Sequence, residues 1–282
     1  MEDQVTPREP ADSSAVLATT IAAQRRVLGG HFQSKNRRLK PKAIHELRVA
    51  IRRLLSAFSL CGALGLTLEG RSRRRLRKLL SRLAPARDAH VQLRQLAELL
   101  PTHPGTAPLL VELRRQRRVA SRRAQKRLQG FALADLDRDV SVVMDALRSA
   151  ITSSAAVSAA MLGRLAAGHL TVERQLRGAS ADDPVALHAV RLALKDYRYA
   201  LEALAKVLPA SAQTLAASCE ELQGVLGSAH DIHVLARTAR ELGKRQDSAS
   251  VLGVADALDE LSKKAHAAAA EALGRTRLPW LT

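Results

Sequence analysis

The feature that most restricts the fold of this chain is a repeat within its own sequence. The segment HELRVAIRRLLSAFSL, at 45–60, resembles HAVRLALKDYRYALEA, at 188–203, and the segment at 83–94 resembles the segment at 226–237. Both pairs are separated by the same offset of 143 residues, so no insertion lies between the repeated features. We therefore predict an internal duplication, in which one structural unit occurs twice.

The composition predicts that this unit is helical. Ala, Leu and Arg dominate the chain, and all three rank high in helix propensity. Hydrophobic residues make up 46% and aromatic residues 2%, and apolar positions recur with the period of a helix between short Gly, Pro and Ser breaks. We predict an all-α fold of two pseudo-symmetric four-helix bundles. Its parts are a disordered leader at 1–12, helical halves at 13–130 and 153–275, and a connector at 131–152.

Two of the predicted breaks fall inside the repeated segments, at Pro85 and at Gly227. Proline removes a backbone donor, and glycine weakens a helix interior. We expect one helix to end before each break and a new one to begin after it. Asp88 and Asp231 follow the breaks, and aspartate is a favoured N-cap residue. N-capping is therefore the simplest expectation for both aspartates.

The charge of the chain is high and unevenly distributed. The formal net charge is +18 and the isoelectric point is about 11.1. Residues 1–141 contain 29 Lys and Arg against 12 Asp and Glu, whereas residues 142–282 contain 16 against 15. Such an excess of positive charge indicates a polyanionic partner, either a nucleic acid, an acidic surface or a phosphate polymer.

A row of basic residues borders the apolar face of one predicted helix in each repeat. In the first copy, His45, Arg48 and Arg52 fall within about 60° of one another at 100° per residue. A solvated or internally paired charged face is the simpler explanation for one such row, but a solvated face normally lies opposite the core. The second copy repeats the arrangement with His188, Arg191, Lys195, Arg198 and Tyr199. We expect the two rows to line one groove or one interface between the bundles.

These residue types suit a ligand with regularly spaced phosphates. Arginine presents a planar fork of donors that can bind phosphate oxygens in pairs. Lysine adds a compact charge, and histidine donates a hydrogen bond when it is neutral and adds charge when it is protonated. Such a row can match the spacing of the charges along the ligand, and it does not require contacts with nucleotide bases.

Two further rows of cations occur in the first half alone. One contains Arg74, Arg77 and Lys78, and the other runs from Arg114 to Arg127. The corresponding segments of the second half are not basic. An exposed face that keeps the protein in solution explains either row as well as a binding surface does. We include the first row in the predicted site and leave the role of the second open.

The repeated motifs resemble the CHAD family, the conserved histidine α-helical domain. One motif is His45-Glu46-Leu47-Arg48 followed by Arg52-Arg53-Leu54, the other is Arg87-Asp88-Ala89-His90-Val91, and both have counterparts in the second half. The resemblance covers roughly residues 13–275. It implies a single domain at 13–282 whose basic central groove or pore binds inorganic polyphosphate, often at polyphosphate granules.

The row positions and the resemblance together define the predicted site. Its polyphosphate-binding residues are His45, Arg48, Arg52, Arg53, Arg74, Arg77, Lys78, Arg87, His90, His188, Arg191, Lys195, Arg198, Tyr199 and His233. The chain departs from the family pattern at Ala84-Pro85, and Leu55 stands opposite Arg198 in the repeat. We therefore expect unequal ligand contacts from the two halves.

Other classes of function receive less support. A basic helical protein that binds nucleic acid is the alternative, but three Phe, two Tyr and one Trp offer few stacking platforms. Phosphoryl transfer requires a phosphate-gripping loop or clustered carboxylates, and we find neither. We expect no enzymatic activity, no cofactor, no metal site and no disulfide between Cys61 and Cys219. We also expect a cytoplasmic location and, because no apolar run approaches the length of a membrane span, no membrane partner.

Overall fold

The computed structural model describes residues 12–33, 39–68, 70–149, 154–180 and 183–280. Within these ranges the chain forms helices and no strands, so the predicted all-α class is confirmed. The helices are α1 (Ser13–Gln33), α2 (Pro41–Gly62), α3 (Gly70–Leu99), α4 (Thr106–Gln129), α5 (Leu133–Ser149), α6 (Ser154–Gly178), α7 (Pro184–Leu204), α8 (Ser211–Gln246) and α9 (Ala249–Arg275). The predicted leader lies outside the described residues except for Asp12, whose carboxylate accepts a hydrogen bond from the amide of Ser14.

The helices pack in the same order in the two halves. In the first half α1 packs on α2, α2 on α3 and α3 on α4, and in the second half α6 packs on α7, α7 on α8 and α8 on α9. The halves meet where α2 packs on α7, α3 on α8 and α4 on α9. The predicted connector forms α5, which packs on α1 and α3. This order is the one that a duplication predicts, and the duplication itself stays a prediction.

The buried apolar side chains form two clusters. The larger one contains α1, α2, α5, α6 and α7 together with one end each of α3, α4, α8 and α9. The smaller one consists of the other ends of those same four helices. On α3 the change from one cluster to the other falls between Ala86 and Leu93, and on α8 it falls between Ala229 and Leu235. These two junctions are the places where polar residues occupy the interior face of the long helices.

The predicted breaks at Pro85 and Gly227 are wrong, because α3 and α8 each continue through them. Proline in a helix interior costs about 3 kcal/mol. In α3 this cost is offset by the burial of Leu83 and Ala86 on either side, since each end of the helix lies in a different apolar cluster. A break would release one end from its cluster.

The N-cap roles expected for Asp88 and Asp231 are wrong for the same reason. Both residues lie in the middle of a continuous helix, where no backbone amide is left for a cap. Asp183 is a true N-cap, because its carboxylate accepts hydrogen bonds from the amides of Val185 and Ala186 at the start of α7. The two repeated aspartates are therefore available for side-chain contacts.

One helix of the described residues is long and apolar enough to cross a membrane by length and composition alone. It spans Ala155–Gly178, where the mean hydropathy of an 18-residue window reaches 1.2. Every 18-residue window of this segment contains Arg164, so the segment is not the uninterrupted apolar run that the sequence analysis considered. In the structure α6 packs on α7 and α1, with Met161 and Leu165 buried.

Candidate anion-binding site

Five cations from three helices meet where the two halves of the protein pack together. Arg48 and Arg52 lie on α2, Arg87 on α3, and Arg191 and Lys195 on α7. We call these residues the central basic cluster. The charges of the four arginines all act on Lys195. Arg48 and Arg52 of the first predicted row thus come close to Arg191 and Lys195 of the second, where α2 packs on α7.

Lys195 is the least exposed cation of the cluster. Its side chain is buried, with 7% of its surface exposed. Burial, followed by the charges of Arg52 and Arg191, lowers its pKa to about 7. An ammonium group is penalised when it loses water and gains positive neighbours. In the described part of the chain no carboxylate lies within ion-pair distance of Lys195 to offset this penalty.

Arg48 is also buried, with 9% of its surface exposed. Its Nη1 donates a hydrogen bond to the backbone carbonyl oxygen of Leu80 at 2.8 Å. Burial and the charge of Arg52 lower its pKa to about 10, so it stays charged near neutral pH. The bond to α3 leaves the other donors of this guanidinium without a protein partner among the described residues.

Two carboxylates offset part of the positive charge. Arg87 donates to both oxygens of Asp231 on α8, at 3.2 and 3.1 Å, and to Asp88 on its own helix at 3.3 Å. Burial opposes the charge on Arg87, but the hydrogen bonds and the charge of Asp231 outweigh it and raise the pKa of Arg87. The cluster thus holds five cations against two hydrogen-bonded carboxylates, and the charges of Lys195 and Arg52 also act on a third carboxylate, that of Asp196 on α7.

Arg191 lies against the middle of α8. A Cβ atom at Gly227 would lie 3.4 Å from its Nε, so the glycine lets the guanidinium approach the helix backbone. Burial lowers the pKa of Arg191, while Asp231 opposes that change. The Nε atom is buried and has no hydrogen-bond partner within the described part of the chain.

Histidines extend the site along α7 and α8. The rings of His188 and His230 lie 5.2 Å apart, and those of His233 and His266 lie 5.9 Å apart. Burial and the charge of Arg191 lower the pKa of His188 and of His230. Both rings are therefore neutral donors near neutral pH. His230 was not among the predicted site residues, although it stands opposite Arg87 at the same offset of 143.

Other predicted residues lie at the margin or in the interior. His45 is exposed near the start of α2. Arg53 donates to Glu202 at 2.9 Å, and Arg198 is ion-paired with Glu202 at 3.0 Å and Glu220 at 2.6 Å. Tyr199 is buried, with the Arg198 guanidinium 4.9 Å from its ring centre. The structure thus assigns internal partners to Arg53 and Arg198.

The remaining predicted residues lie on α3. His90 is half-buried beside α4, and burial and the charge of Arg117 lower its pKa. Arg74 and Arg77 are exposed. Lys78 is exposed and lines a groove between α3 and α4. None of these residues belongs to the central basic cluster.

A metal site would need several His, Cys, Asp or Glu side chains close together. In this part of the chain no group of three or more His, Cys, Asp or Glu is placed to hold a metal ion. Cys61 and Cys219 are both buried, and burial raises the pKa of each thiol to about 12. The arrangement is suited to holding an anion by charge and hydrogen bonds.

The fold and the site define an all-helical protein with a cationic centre at the meeting of its two halves. The CHAD domain family model matches residues 19–240, which is most of the chain, so the protein belongs to the CHAD domain family. This confirms the resemblance seen in the repeated motifs.

Two solved structures share the fold. The crystal structure of the CHAD domain from the plant Ricinus communis is similar with a TM-score of 0.70 and 21% identity, covering 100% of this chain and 99% of that one. PptA from Streptomyces chartreusis is similar with a TM-score of 0.60 and 19% identity, covering 94% of this chain and 100% of that one. No curated protein matches the sequence.

Proposed function

We propose that this protein binds inorganic polyphosphate, without turning it over, through the central basic cluster. One observation carries the proposal: Arg48, Arg52, Arg191 and Lys195 converge at a buried interface where the cations outnumber the carboxylates. Like charges held together away from water repel one another. A multivalent anion would offset that repulsion at several side chains at once.

Polyphosphate suits this cluster better than a single phosphate does. The cations come from both halves of the protein, so a linear polymer could contact α2, α3 and α7 together. Arginine forks bind phosphate oxygens in pairs, and the buried Nε of Arg191 has no acceptor among the residues that the structure describes. The family is also associated with polyphosphate-related proteins. We further propose that the protein acts in the cytoplasm, at polyphosphate granules.

A competition assay tests the choice of ligand. The protein is bound to labelled long-chain polyphosphate and challenged with unlabelled polyphosphate, with duplex DNA and with single-stranded DNA at equal phosphate concentration. We expect polyphosphate to displace the label at a much lower concentration than either DNA. If DNA competes equally well per phosphate, the protein is a general polyanion binder or a nucleic-acid-binding protein, and the proposal fails.

A matched pair of variants tests the location. We choose Arg52→Gln with Arg191→Gln, because both side chains are half-buried members of the cluster. Two lost charge-assisted contacts of about 1.5 kcal/mol each correspond to roughly a hundredfold lower affinity. The control is Arg94→Gln with Arg237→Gln, an exposed pair that also takes one arginine from each half and removes the same charge. Equal losses in the two variants would show that net charge, and not the cluster, determines binding.

Turnover is tested separately. Incubation with polyphosphate and Mg²⁺ or Mn²⁺ should release no phosphate above the rate without protein. Sustained release that disappears on Asp88→Asn or Asp231→Asn would overturn the proposal of a binding function alone.

A further inference from the structure

A basic groove runs between α3 and α4, outside the central basic cluster. Its volume is about 1120 Å³, and Thr238 of α8 also lines it. Six cations border it: Lys78, Arg82, Arg115, Arg123, Lys126 and Arg127. The sequence left open the role of the basic row on α4. Part of that row lines the groove, whereas Arg118 and Arg122 do not.

Five of the six groove cations have no ion pair with any carboxylate that the structure describes. Among the described residues only Arg115 has a carboxylate within ion-pair distance, from Glu112 on the same helix. Several exposed cations of α8 and α9 are paired by contrast, as Arg240 is with Asp256 and Lys263 is with Glu260. Unpaired charges of one sign around a concave surface concentrate their field inside it and attract anions.

The groove opens next to the central basic cluster. Asp88 lines the groove and is hydrogen-bonded to Arg87 at 3.3 Å. The charge of Asp88 also acts on Arg48 and Arg191. Asp88 therefore lies between the groove and Arg87 of the cluster. A linear anion that extends from the cluster into the groove would pass this carboxylate, whose charge is partly offset by Arg87, before it reaches the groove cations.

The lining of the groove fits a bare phosphate chain better than a nucleic acid. Between the cations lie Pro85, Ala89, Val119 and Ala120, and no aromatic side chain lines it, so bases have no stacking platform. Packed helices are separated by about 8–10 Å between their axes, which is too narrow a cleft to hold a duplex. From Arg115 to Arg127 the α4 wall is about 18 Å long at 1.5 Å per residue.

We propose that the α3–α4 groove is a second, separate binding segment for polyphosphate, which holds the part of a long chain that extends beyond the central basic cluster. This inference rests on the proposed function, because the polymer must first bind the cluster. Its consequence is chain-length selectivity: a short oligophosphate fills the cluster alone, whereas a long chain gains the contacts of the groove as well.

The test compares two arginine pairs on one helix. Arg123→Gln with Arg127→Gln removes two groove charges, and Arg118→Gln with Arg122→Gln removes two exposed charges outside the groove. Both pairs have the same spacing and the same effect on net charge. Affinity for long-chain polyphosphate and for tripolyphosphate is measured for each variant by calorimetry or anisotropy over a range of salt concentrations.

We expect the groove variant to lose about tenfold in affinity for the long chain and to keep its affinity for tripolyphosphate. Its salt dependence should fall by about two units of log–log slope, by analogy with counterion release from DNA. The control should change neither value by more than about twofold. If the long chain binds both variants equally, the groove plays no part and the inference fails while the proposed function stands. If the wild type binds neither polymer, both fail.

Discussion

Arg87 on α3 donates two hydrogen bonds to Asp231 on α8, across the junction where the two apolar clusters separate. This ion pair joins residues 144 positions apart and occupies a cation that could otherwise bind phosphate. The substitution Asp231→Asn keeps the shape of the side chain and removes its charge. We expect roughly fivefold tighter polyphosphate binding, which corresponds to about 1 kcal/mol, and about 1 kcal/mol lower stability.

Calorimetric titration and urea denaturation check the two effects. Asp256→Asn is the control, because Asp256 pairs with Arg240 at 2.8 Å on an exposed surface and the change in net charge is the same. Weaker polymer binding by Asp231→Asn would contradict the prediction and would mean that the pair positions Arg87 for the ligand.

The buried amine of Lys195 predicts that polyphosphate binding takes up a proton. With a pKa of about 7, Lys195 is mostly neutral at about pH 8, and a bound anion raises that pKa because it favours the charged form. Titrations in two buffers of different ionisation enthalpy give the number of protons taken up. We expect a value approaching one, and nearly none for Lys195→Met. An unchanged value in the variant would assign the proton to another group, such as His188 or His230.

The same amine makes stability depend on pH. Its folded pKa of about 7 lies below the unfolded value near 10.4, so the unfolded chain binds more protons between these limits. The free energy of unfolding attributable to Lys195 therefore rises as pH increases from about 7 toward 10. Denaturation of the wild type and of Lys195→Met at several pH values checks this. Lys195→Met should be more stable than the wild type at about pH 7. Its free energy of unfolding should lack the rise with pH that is attributable to Lys195.

Pro85 in the middle of α3 predicts a stabilising substitution. Pro85→Ala restores a backbone donor within a continuous helix and removes the steric clash of the ring. We expect the protein to gain about 1–2 kcal/mol of the roughly 3 kcal/mol that interior proline costs, since alanine also increases the entropy of the unfolded chain. Thermal and urea unfolding measure this. A loss of stability would show that the proline is required for the path of α3 between the two apolar clusters.

Arg198 provides a test of an internal role for a residue predicted to contact the ligand. Its guanidinium is buried and pairs with Glu202 and Glu220. Arg198→Met should leave Glu202 with Arg53 as its remaining partner and should lower stability by about 2 kcal/mol. Affinity for tripolyphosphate should stay within about twofold of the wild type. If circular dichroism shows that the variant is folded and its affinity is nevertheless much lower, Arg198 contacts the ligand as the sequence predicted.

Several features of the protein follow from local sequence alone. Helical periodicity predicts the all-α class, because the apolar face of each helix recurs every three to four residues. The same periodicity places Arg48 and Arg191 beside the apolar face and not opposite it, and both are at least half-buried in the structure. The repeated motifs identify the family.

Other features could not be predicted because they depend on which distant residues meet. Pro85 and Gly227 have local propensities that favour breaks, but each long helix buries both of its ends, and that burial outweighs the local cost. The partner of Arg87 is on another helix, so the sequence alone predicted only an N-cap role for Asp231. The groove between α3 and α4 exists only because those helices pack together.

The sequence by itself determined the helical class, the family and the rows of cations, since all three follow from the spacing of residues along single helices. Tertiary structure alone decided which cations are free to bind an anion. Arg53 and Arg198 are neutralised by carboxylates from their own or neighbouring helices, whereas Lys195 and Arg191 are held among other cations. The physical reason is that charge balance at a side chain depends on distances in space, which spacing along the chain does not fix.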